Sequence, residues 1–371
     1  MDFVLSEEQR MLSESLRRLV NDEWTFSARR KRRGQPGIDT GAWTALAEVG
    51  VLGLTIDSDY DGFGEGPSTL LPVHQELGRG LVSEPVIPSA VVAATLIAES
   101  KSVEHAKALL PAIASGAAVV TVAYQEPGQR YAVKPVKVTA KQSGSGFVLT
   151  GQKVSVWHGG AATTWLVTAK LDSGETGIFV VNRDAKGVDV VDVPTIDDTR
   201  TATLTFNGLE LGADALLVKG AAADLALSHA LDWGIAALVS HAAGAMERLI
   251  EITVDYLKTR KQFGQPLAVF QALQHRLADM LVAKEMALSM AYVAVAALTE
   301  EDENRRRKMI ASAKLEAARS GRFIGQQAVQ LHGGMGMTDE LDVGDFFKRL
   351  TVVDMLWGDS QEQLRKLGAL L

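Results

Sequence analysis

The chain has 371 residues, 47% of them hydrophobic and 22% charged, which is enough to bury a core in two or three domains. Its formal net charge is −7 and it contains no cysteine. The acidic balance argues against a nucleic-acid groove or a membrane-surface helix, and the missing cysteine excludes disulfides, thiolate metal sites and a cysteine nucleophile.

The opening MDFVLSEEQR is acidic from residue 2 and has no apolar h-region, so it does not read as a signal peptide. Ser6, followed by Glu7, Glu8 and Gln9, reads as an N-cap with an acidic first turn, and Leu12, Leu16, Leu19 and Val20 recur at helical spacing. Glycine and proline at 34–37 break the pattern. A second helix is expected over 42–49, ending at Gly50, and a Gly- and Asp-rich loop over 57–67. Helices at 68–79 and 104–114 complete an N-terminal helical domain, residues 1–115. From about 117 the texture changes to short β-branched runs at 118–124, 133–140, 146–149, 164–169, 178–181 and 202–206, separated by turn residues. They predict an antiparallel barrel or sandwich domain over 116–213.

Long helices return from 214 to the end. Ala221–Thr259 is rich in small and apolar residues and should be buried on several sides. Residues 270–300 and 301–332 form two more long periodic segments, and a last helix begins near Ser360, so 214–371 reads as a helical bundle. The order helices, β-domain, long-helix bundle is an α+β arrangement. It excludes a Rossmann fold, which needs alternating strands and helices. No uncharged apolar run reaches the roughly 18 residues of a membrane span, and the expected location is cytoplasmic. His229, His241, His275 and His332 fall on helices or helix ends without metal-ligand spacing and read as structural histidines.

Four segments resemble acyl-CoA dehydrogenases. Tyr124-Gln125-Glu126-Pro127-Gly128 is similar to that family's T-E-P-G loop. Gly151-Gln152-Lys153 through Trp157-His158-Gly159-Gly160 is similar to its N-G-x-K-x-x-I-T-N-G stretch. Thr259-Arg260-Lys261-Gln262-Phe263-Gly264-Gln265-Pro266, with Phe270-Gln271 after it, resembles R-x-x-F-G and the helix beyond it. Gln330-Leu331-His332-Gly333-Gly334-Met335-Gly336-Met337-Thr338 resembles Q-x-x-G-G-x-G-Y-T. The wording around 256–274 and 332–338 most resembles the smaller subunit of the pimeloyl-CoA type.

The resemblance implies the family's fold, with a C-terminal four-helix bundle, FAD as cofactor, an acyl-CoA thioester as substrate and electron-transfer flavoprotein as electron acceptor. It also implies assembly as a tetramer with a second acyl-CoA dehydrogenase-like subunit or with itself. The implied FAD contacts are Arg260, Gln262, Phe263, Phe270, Gln271, Gln330, Gly333 and Gly334, with Gln125, Trp157 and Gln361 on the flavin side. Each has a physical rationale. A guanidinium makes paired, charge-assisted bonds to phosphate oxygens. Glycines let backbone N–H groups approach an anion. A phenylalanine offers an apolar face to adenine. Taken singly, Arg260 reads as a surface cation, Gly333-Gly334 as a helix C-cap and Phe263 as core. Trp157 either stacks beside a flavin or fills the space.

The family's reaction removes an α-proton by a carboxylate while a hydride leaves to flavin. The resemblance places that carboxylate in one of two positions. In Met355-Leu356-Trp357-Gly358-Asp359-Ser360-Gln361 the first falls on Trp357, and in Leu231-Asp232-Trp233-Gly234 the second falls on Gly234. Asp232 and Asp359 lie two residues away from these positions, which turns a helical side chain about 200° from the required face. Asp232 reads as an exposed helix residue and Asp359 as the N-cap of the last helix, with each a weaker candidate for a stand-in base. The chain thus keeps the half of the FAD site that the family's neighbouring subunit supplies and departs from the half that carries the base. That pattern suits a partner subunit of a heteromeric enzyme. A self-sufficient enzyme with a displaced base, a related flavin oxidase or monooxygenase, and a flavin-free assembly protein are the alternatives.

Overall fold

A computed structural model describes residues 5–370; the first four residues of the MDFVLSEEQR opening lie outside the described residues, as does residue 371. In chain order the helices before the sheet are α1 (Glu7–Glu23), α2 (Phe26–Arg32), α3 (Thr40–Glu48), α4 (Leu70–Arg79), α5 (Ala94–Glu99) and α6 (Val103–Ala114). The strands are β1 (Val120–Ala123), β2 (Thr139–Ser143), β3 (Gly146–Trp157), β4 (Thr164–Leu171), β5 (Thr176–Asn182), β6 (Val188–Pro194), β7 (Arg200–Leu211) and β8 (Leu216–Lys219). Then come α7 (Ala221–Thr259), a two-stranded hairpin β9 (Lys261–Gln262) and β10 (Gln265–Pro266), α8 (Gln271–Ala297), α9 (Glu303–His332), α10 (Val343–Met355) and α11 (Ser360–Ala369). Helices, a mostly antiparallel sheet and a helical bundle therefore succeed one another in the expected order. α2, α10, β6 and β8 had no clear periodic signal because they are short or half-exposed.

The chain divides into two compact units. One holds Arg32–Gly66 and Ser83–Gly234, and the other Met1–Lys31, Pro67–Val82 and Ile235–Leu371. In the first, the eight strands run in the order β6-β7-β3-β2-β4-β5-β8, with β1 beside β4. β4 pairs in parallel with both β1 and β2, so the sheet is not wholly antiparallel as expected. Val86–Ala93 winds as a fully buried π-helix leading into α5.

The expected strand at 133–140 begins only at Thr139. The reason is Glu126. Its carboxylate accepts from the backbone N–H of Val136 (3.0 Å), Lys137 (2.7 Å) and Val138 (3.0 Å), so those donors are diverted from any ladder. The same carboxylate meets Lys153, whose side chain is 0% exposed. The Lys153 Nζ donates to Glu126 (2.9 Å), to the Tyr124 carbonyl (3.0 Å) and to Thr168 Oγ1 (2.9 Å). Burial lowers the Lys153 pKa to about 8 against the opposing pull of Glu126. All three of its protons are used, which is what makes an ion pair tolerable at this depth.

In the second unit the expected capping at Ser6 is present: Ser6 Oγ accepts from the Gln9 N–H, and the Gln9 side chain accepts from the Ser6 N–H, both at 3.1 Å. α4 and α7 approach at backbone distance. A methyl group added at Gly78 would lie 1.9 Å from the His241 carbonyl oxygen, and one at Gly244 would lie 1.8 Å from that of Gln75. Ion pairs flank this contact: Arg79 reaches Glu251 (2.9 Å) and Glu247 (3.1 Å), and Arg17 from α1 reaches Glu76 (2.6 Å). Beneath it lie His74 and His241, both buried. Arg349 from α10 donates to the Val82 carbonyl (3.2 Å) and to His241 Nε2 (3.1 Å). Burial pushes His74 down to about 3; burial, then Arg349 and His74, hold His241 well below its ordinary range.

This packing leads to two expectations. Gly244→Ala should destabilise the protein by roughly 1–3 kcal/mol or more, because neither backbone can yield locally, whereas Gly368→Ala, with open space around it, should be neutral or better. Thermal melting of both variants reads this directly, and equal midpoints would contradict it. The two buried histidines stay neutral in the fold but take up protons when unfolded, so their contribution to stability is flat above about pH 6.5 and falls below it. Each contributes about 1.4 kcal/mol per pH unit until its folded pKa is reached. The melting midpoint should drop from pH 7 to pH 5, and His74→Gln should flatten that drop; an unchanged slope would exclude His74 as a source.

Candidate functional site

The sequence-predicted residues fall in both units. Arg260, Gln262, Phe263, Phe270, Gln271, Gln330, Gly333, Gly334, Trp357 and Gln361 belong to the helical unit, and Gln125, Trp157, Asp232 and Gly234 to the sheet-containing one.

α7 ends at Thr259, and the chain turns at once through the hairpin. Gln262 pairs with Gln265, leaving Phe263 and Gly264 as the two turn residues, both with positive φ (53° and 79°). This is the type I′ pattern, natural for glycine and unfavourable for phenylalanine. Phe263 is 88% exposed and therefore not core; its ring meets Phe270 edge-on at 5.9 Å. Phe270 precedes α8 and Gln271 opens it. Arg260 is exposed, and among the described residues its guanidinium makes no ion pair or hydrogen bond.

Gly333 ends α9 with φ 60° and ψ −140°, a conformation open to glycine alone, and its N–H returns to the Gln330 carbonyl. It is thus a helix cap as read, but Gly334 adjoins it with no positive φ, and an added methyl at either would meet nothing within 4 Å. No crowding within the fold explains the second glycine. Exposed Gln330 lies one turn before. The ends of α7 and α9 are held together: the Tyr256 and His332 rings stack at 4.2 Å, and Tyr256 Oη donates to the His332 carbonyl at 3.3 Å. At the start of α8, Arg276 donates to Gln327 of α9 at 2.9 Å. The hairpin, the start of α8 and the Gly333-Gly334 turn therefore share one end of the bundle. An exposed cation, an exposed aromatic ring and an uncovered glycine turn fit an anionic, aromatic group such as an adenosine pyrophosphate.

Trp357 sits in the turn between α10 and α11 with φ 55°, which is unfavourable for a bulky side chain by about 1–3 kcal/mol. Lys314 of α9 underpins that turn. Its fully buried ammonium donates to the carbonyls of Val353, Asp354 and Gly358, and burial lowers its pKa to about 7. Asp354 in turn accepts from the Ser360 N–H (2.9 Å) and Oγ (2.7 Å). Asp359 is the N-cap of α11, accepting from the Glu362 N–H at 2.9 Å, as expected; Gln361 is exposed in the first turn.

In the sheet-containing unit, Gln125 lies just past β1, is half-buried and donates to the Arg130 carbonyl at 3.2 Å. Trp157 ends β3, is buried and donates through Nε1 to Thr199 Oγ1 at 3.3 Å. Gly234 is buried in α7. Asp232 is only 8% exposed, which corrects the expectation of an exposed helix residue: it lies in an enclosed stretch of α7, where Ala230, Leu231 and Gly234 are buried as well. Sequence reasoning missed Tyr256 and Lys314 altogether, and left His332 as one structural histidine among several. Each acts across more than 30 residues of chain, and only a tyrosine one helical turn before Arg260 and a histidine just before a glycine pair hinted at the first contact.

Family models of the acyl-CoA dehydrogenase N-terminal and C-terminal domains match residues 6–117 and 224–371. Acyl-CoA dehydrogenase FadE27 of Mycobacterium tuberculosis is 29% identical over 341 residues, 89% of this chain and 87% of the relative. A variant of the Tcur3481-Tcur3483 steroid ACAD has a similar structure, with TM-score 0.88 and 31% identity over 98% of this chain and 97% of that one. The ChsE4-ChsE5 complex from Mycobacterium tuberculosis gives TM-score 0.89 and 26% identity over 100% and 98%. With both family domains matched and a relative 31% identical along nearly its whole length, the chain belongs to the acyl-CoA dehydrogenase family.

Proposed function

We propose that this chain is a partner subunit of a heteromeric, FAD-dependent acyl-CoA dehydrogenase, completing the FAD site while a second chain supplies the base. The observation that carries this reading is the absence of a carboxylate at both expected base positions, Trp357 and Gly234. Asp359 is already engaged as a helix cap. The similarity to the ChsE4-ChsE5 complex supports a two-component assembly. When bound, FAD supplies the two-electron acceptor for α,β-desaturation of an acyl-CoA thioester. Of this chain's residues, Arg260 would neutralise the pyrophosphate, the Gly333-Gly334 turn would donate backbone N–H groups, and Phe263, Phe270 and Gln330 would hold the adenosine end, with Gln262 and Gln271 beside them. Gln125, Trp157 and Gln361 are the flavin-side candidates. Electron-transfer flavoprotein completes the proposal as the acceptor.

One observation favours a second reading. Asp232 is buried in α7 two residues from Gly234, as a displaced base in a self-sufficient enzyme would be. Anaerobic flavin bleaching by a panel of acyl-CoA thioesters decides between them. A positioned general base contributes on the order of 10²–10⁴ in rate, so the isolated chain should bleach slowly or not at all and the co-purified complex quickly. Rapid bleaching by the isolated chain, abolished in Asp232→Asn, would establish the second reading instead. Trp357→Glu, which restores a carboxylate at the C-terminal position, is expected to raise the rate of the isolated chain if flavin is retained.

Assembly is supported by α8 and α9. Their outer faces form an apolar groove of about 710 Å³ in which Leu281, Val282 and Met286 are roughly half-exposed or more. α7 and α8 are apolar and long enough to cross a bilayer, but two thirds of the apolar stretch of α7 is buried in the fold, against one third for α8. A second subunit on this groove would remove it from water. Light scattering should show a tetramer, and Val282→Asp should shift it to smaller species; a stable monomer of the unmodified protein at micromolar concentration would contradict the assembly.

A further inference from the structure

We infer that Tyr256 and His332 form a positioning clamp that sets the spacing between Arg260 and the Gly333-Gly334 turn, and so pre-forms the anion-binding end of the cofactor site. The inference rests on the cofactor reading above and goes beyond it, because neither residue belongs to the set proposed to touch the ligand.

Tyr256 is bonded at both of its ends. Its backbone carbonyl accepts from the Arg260 N–H at 2.8 Å, which fixes where the arginine leaves α7. Its phenol donates to the carbonyl of His332, the last residue of α9. That carbonyl belongs to the final turn of a helix, where backbone acceptors have no intrahelical donor. Between these two bonds the phenol ring lies against the imidazole, with the ring planes 28° apart. One side chain thereby joins the residue four positions before the cation to the residue immediately before the glycine turn.

His332 is held from its own helix as well. Its Nδ1 lies 2.8 Å from the Ala328 carbonyl, and since a carbonyl can only accept, Nδ1 carries the proton. Nε2 is then an acceptor in the neutral ring, and it is buried with no hydrogen-bond partner. An unpartnered buried acceptor is unfavourable, and the Nδ1–H bond and the ring stack with Tyr256 offset it. Burial pushes its pKa below the ordinary value, which keeps the ring neutral against the phenol.

The clamp matters because the adjoining turn opens on two glycines, whose unfolded and unanchored backbones have the most conformational freedom to lose. Gly333 occupies a backbone conformation closed to other residues, and nothing within 4 Å would restrain an added methyl at Gly333 or Gly334. A glycine pair left to itself would sample many orientations, and ordering it on binding would weaken affinity. Anchoring the residue before it removes much of that freedom in advance.

The test uses the full chain, together with its co-purified partner, and measures FAD release rate and dissociation constant by flavin fluorescence, alongside melting of the flavin-free protein. Tyr256→Phe keeps the ring stack and loses one hydrogen bond; Tyr256→Leu loses both. Tyr256→Leu and His332→Ala should weaken FAD binding by about ten-fold or more, Tyr256→Phe should restore most of it, and the flavin-free melting points should not track that order. If Tyr256→Leu holds flavin like the unmodified protein while Arg260→Ala loses it, the clamp is wrong and the cofactor reading stands. If Tyr256→Leu and Tyr256→Phe weaken binding equally, stacking is not the device. If the unmodified complex binds no FAD, or Arg260→Ala binds it fully, the cofactor reading itself fails and takes the clamp with it.

Discussion

The constraint on which this structure depends is the burial of α7. A 39-residue helix whose residues are largely alanine, leucine, isoleucine and valine cannot face water, and it carries Gly234, Tyr256 and, just beyond its end, Arg260. Small residues let its neighbours approach. At Gly78 and Gly244 the backbones of α4 and α7 meet with no room for a methyl group, and such closeness leaves little freedom to slide. The polar groups carried into the interior must then be matched there. Arg349 meets His241 on one side, and Arg17 and Arg79 meet Glu76, Glu247 and Glu251 on the other.

The sheet-containing unit meets a similar problem with a buried ion pair. Lys153 of β3 and Glu126 just past β1 are both buried, and every proton of the ammonium has an acceptor. Removing either partner would strand a buried charge, which is far worse than never having introduced one. The pair ties β3 to the segment after β1, and Gln125 lies beside it with its carbonyl accepting from the Val154 N–H. The backbone of this loop is therefore tied to β3.

Rigidity and chemistry part company in this chain. The turn bearing Trp357 is braced by Lys314, Asp354 and Ser360, and it holds the backbone of a large aromatic residue at positive φ. On the proposed reading, the scaffold of the catalytic turn is retained and its carboxylate is not. Such a chain keeps its fold and its binding surface while delegating proton transfer to a partner. The bundle end with Arg260, Phe263 and the glycine turn shows the opposite balance: the groups proposed to meet the cofactor lie exposed, and Tyr256 and His332, which hold the two helix ends together, are less exposed.

Much of this was legible in the residues themselves. The length of α7, the cap at Ser6, the cap at Asp359 and the order of helices, strands and helices all derive from local periodicity and local hydrogen bonding, which neighbouring residues determine. The four motifs gave the family because their glycines, arginine and aromatics are contiguous in sequence. The tertiary structure was needed for every contact that closes across a long stretch of chain. Residues 133–138 look like a strand until Glu126 takes the N–H groups of Val136, Lys137 and Val138. Phe263 looks like core until a type I′ turn holds it out. Asp232 looks like a surface residue until α7 is enclosed around it. In each case the side chain's own preference was outweighed by a partner or a packing surface far away in sequence, and local pattern carries no record of that partner.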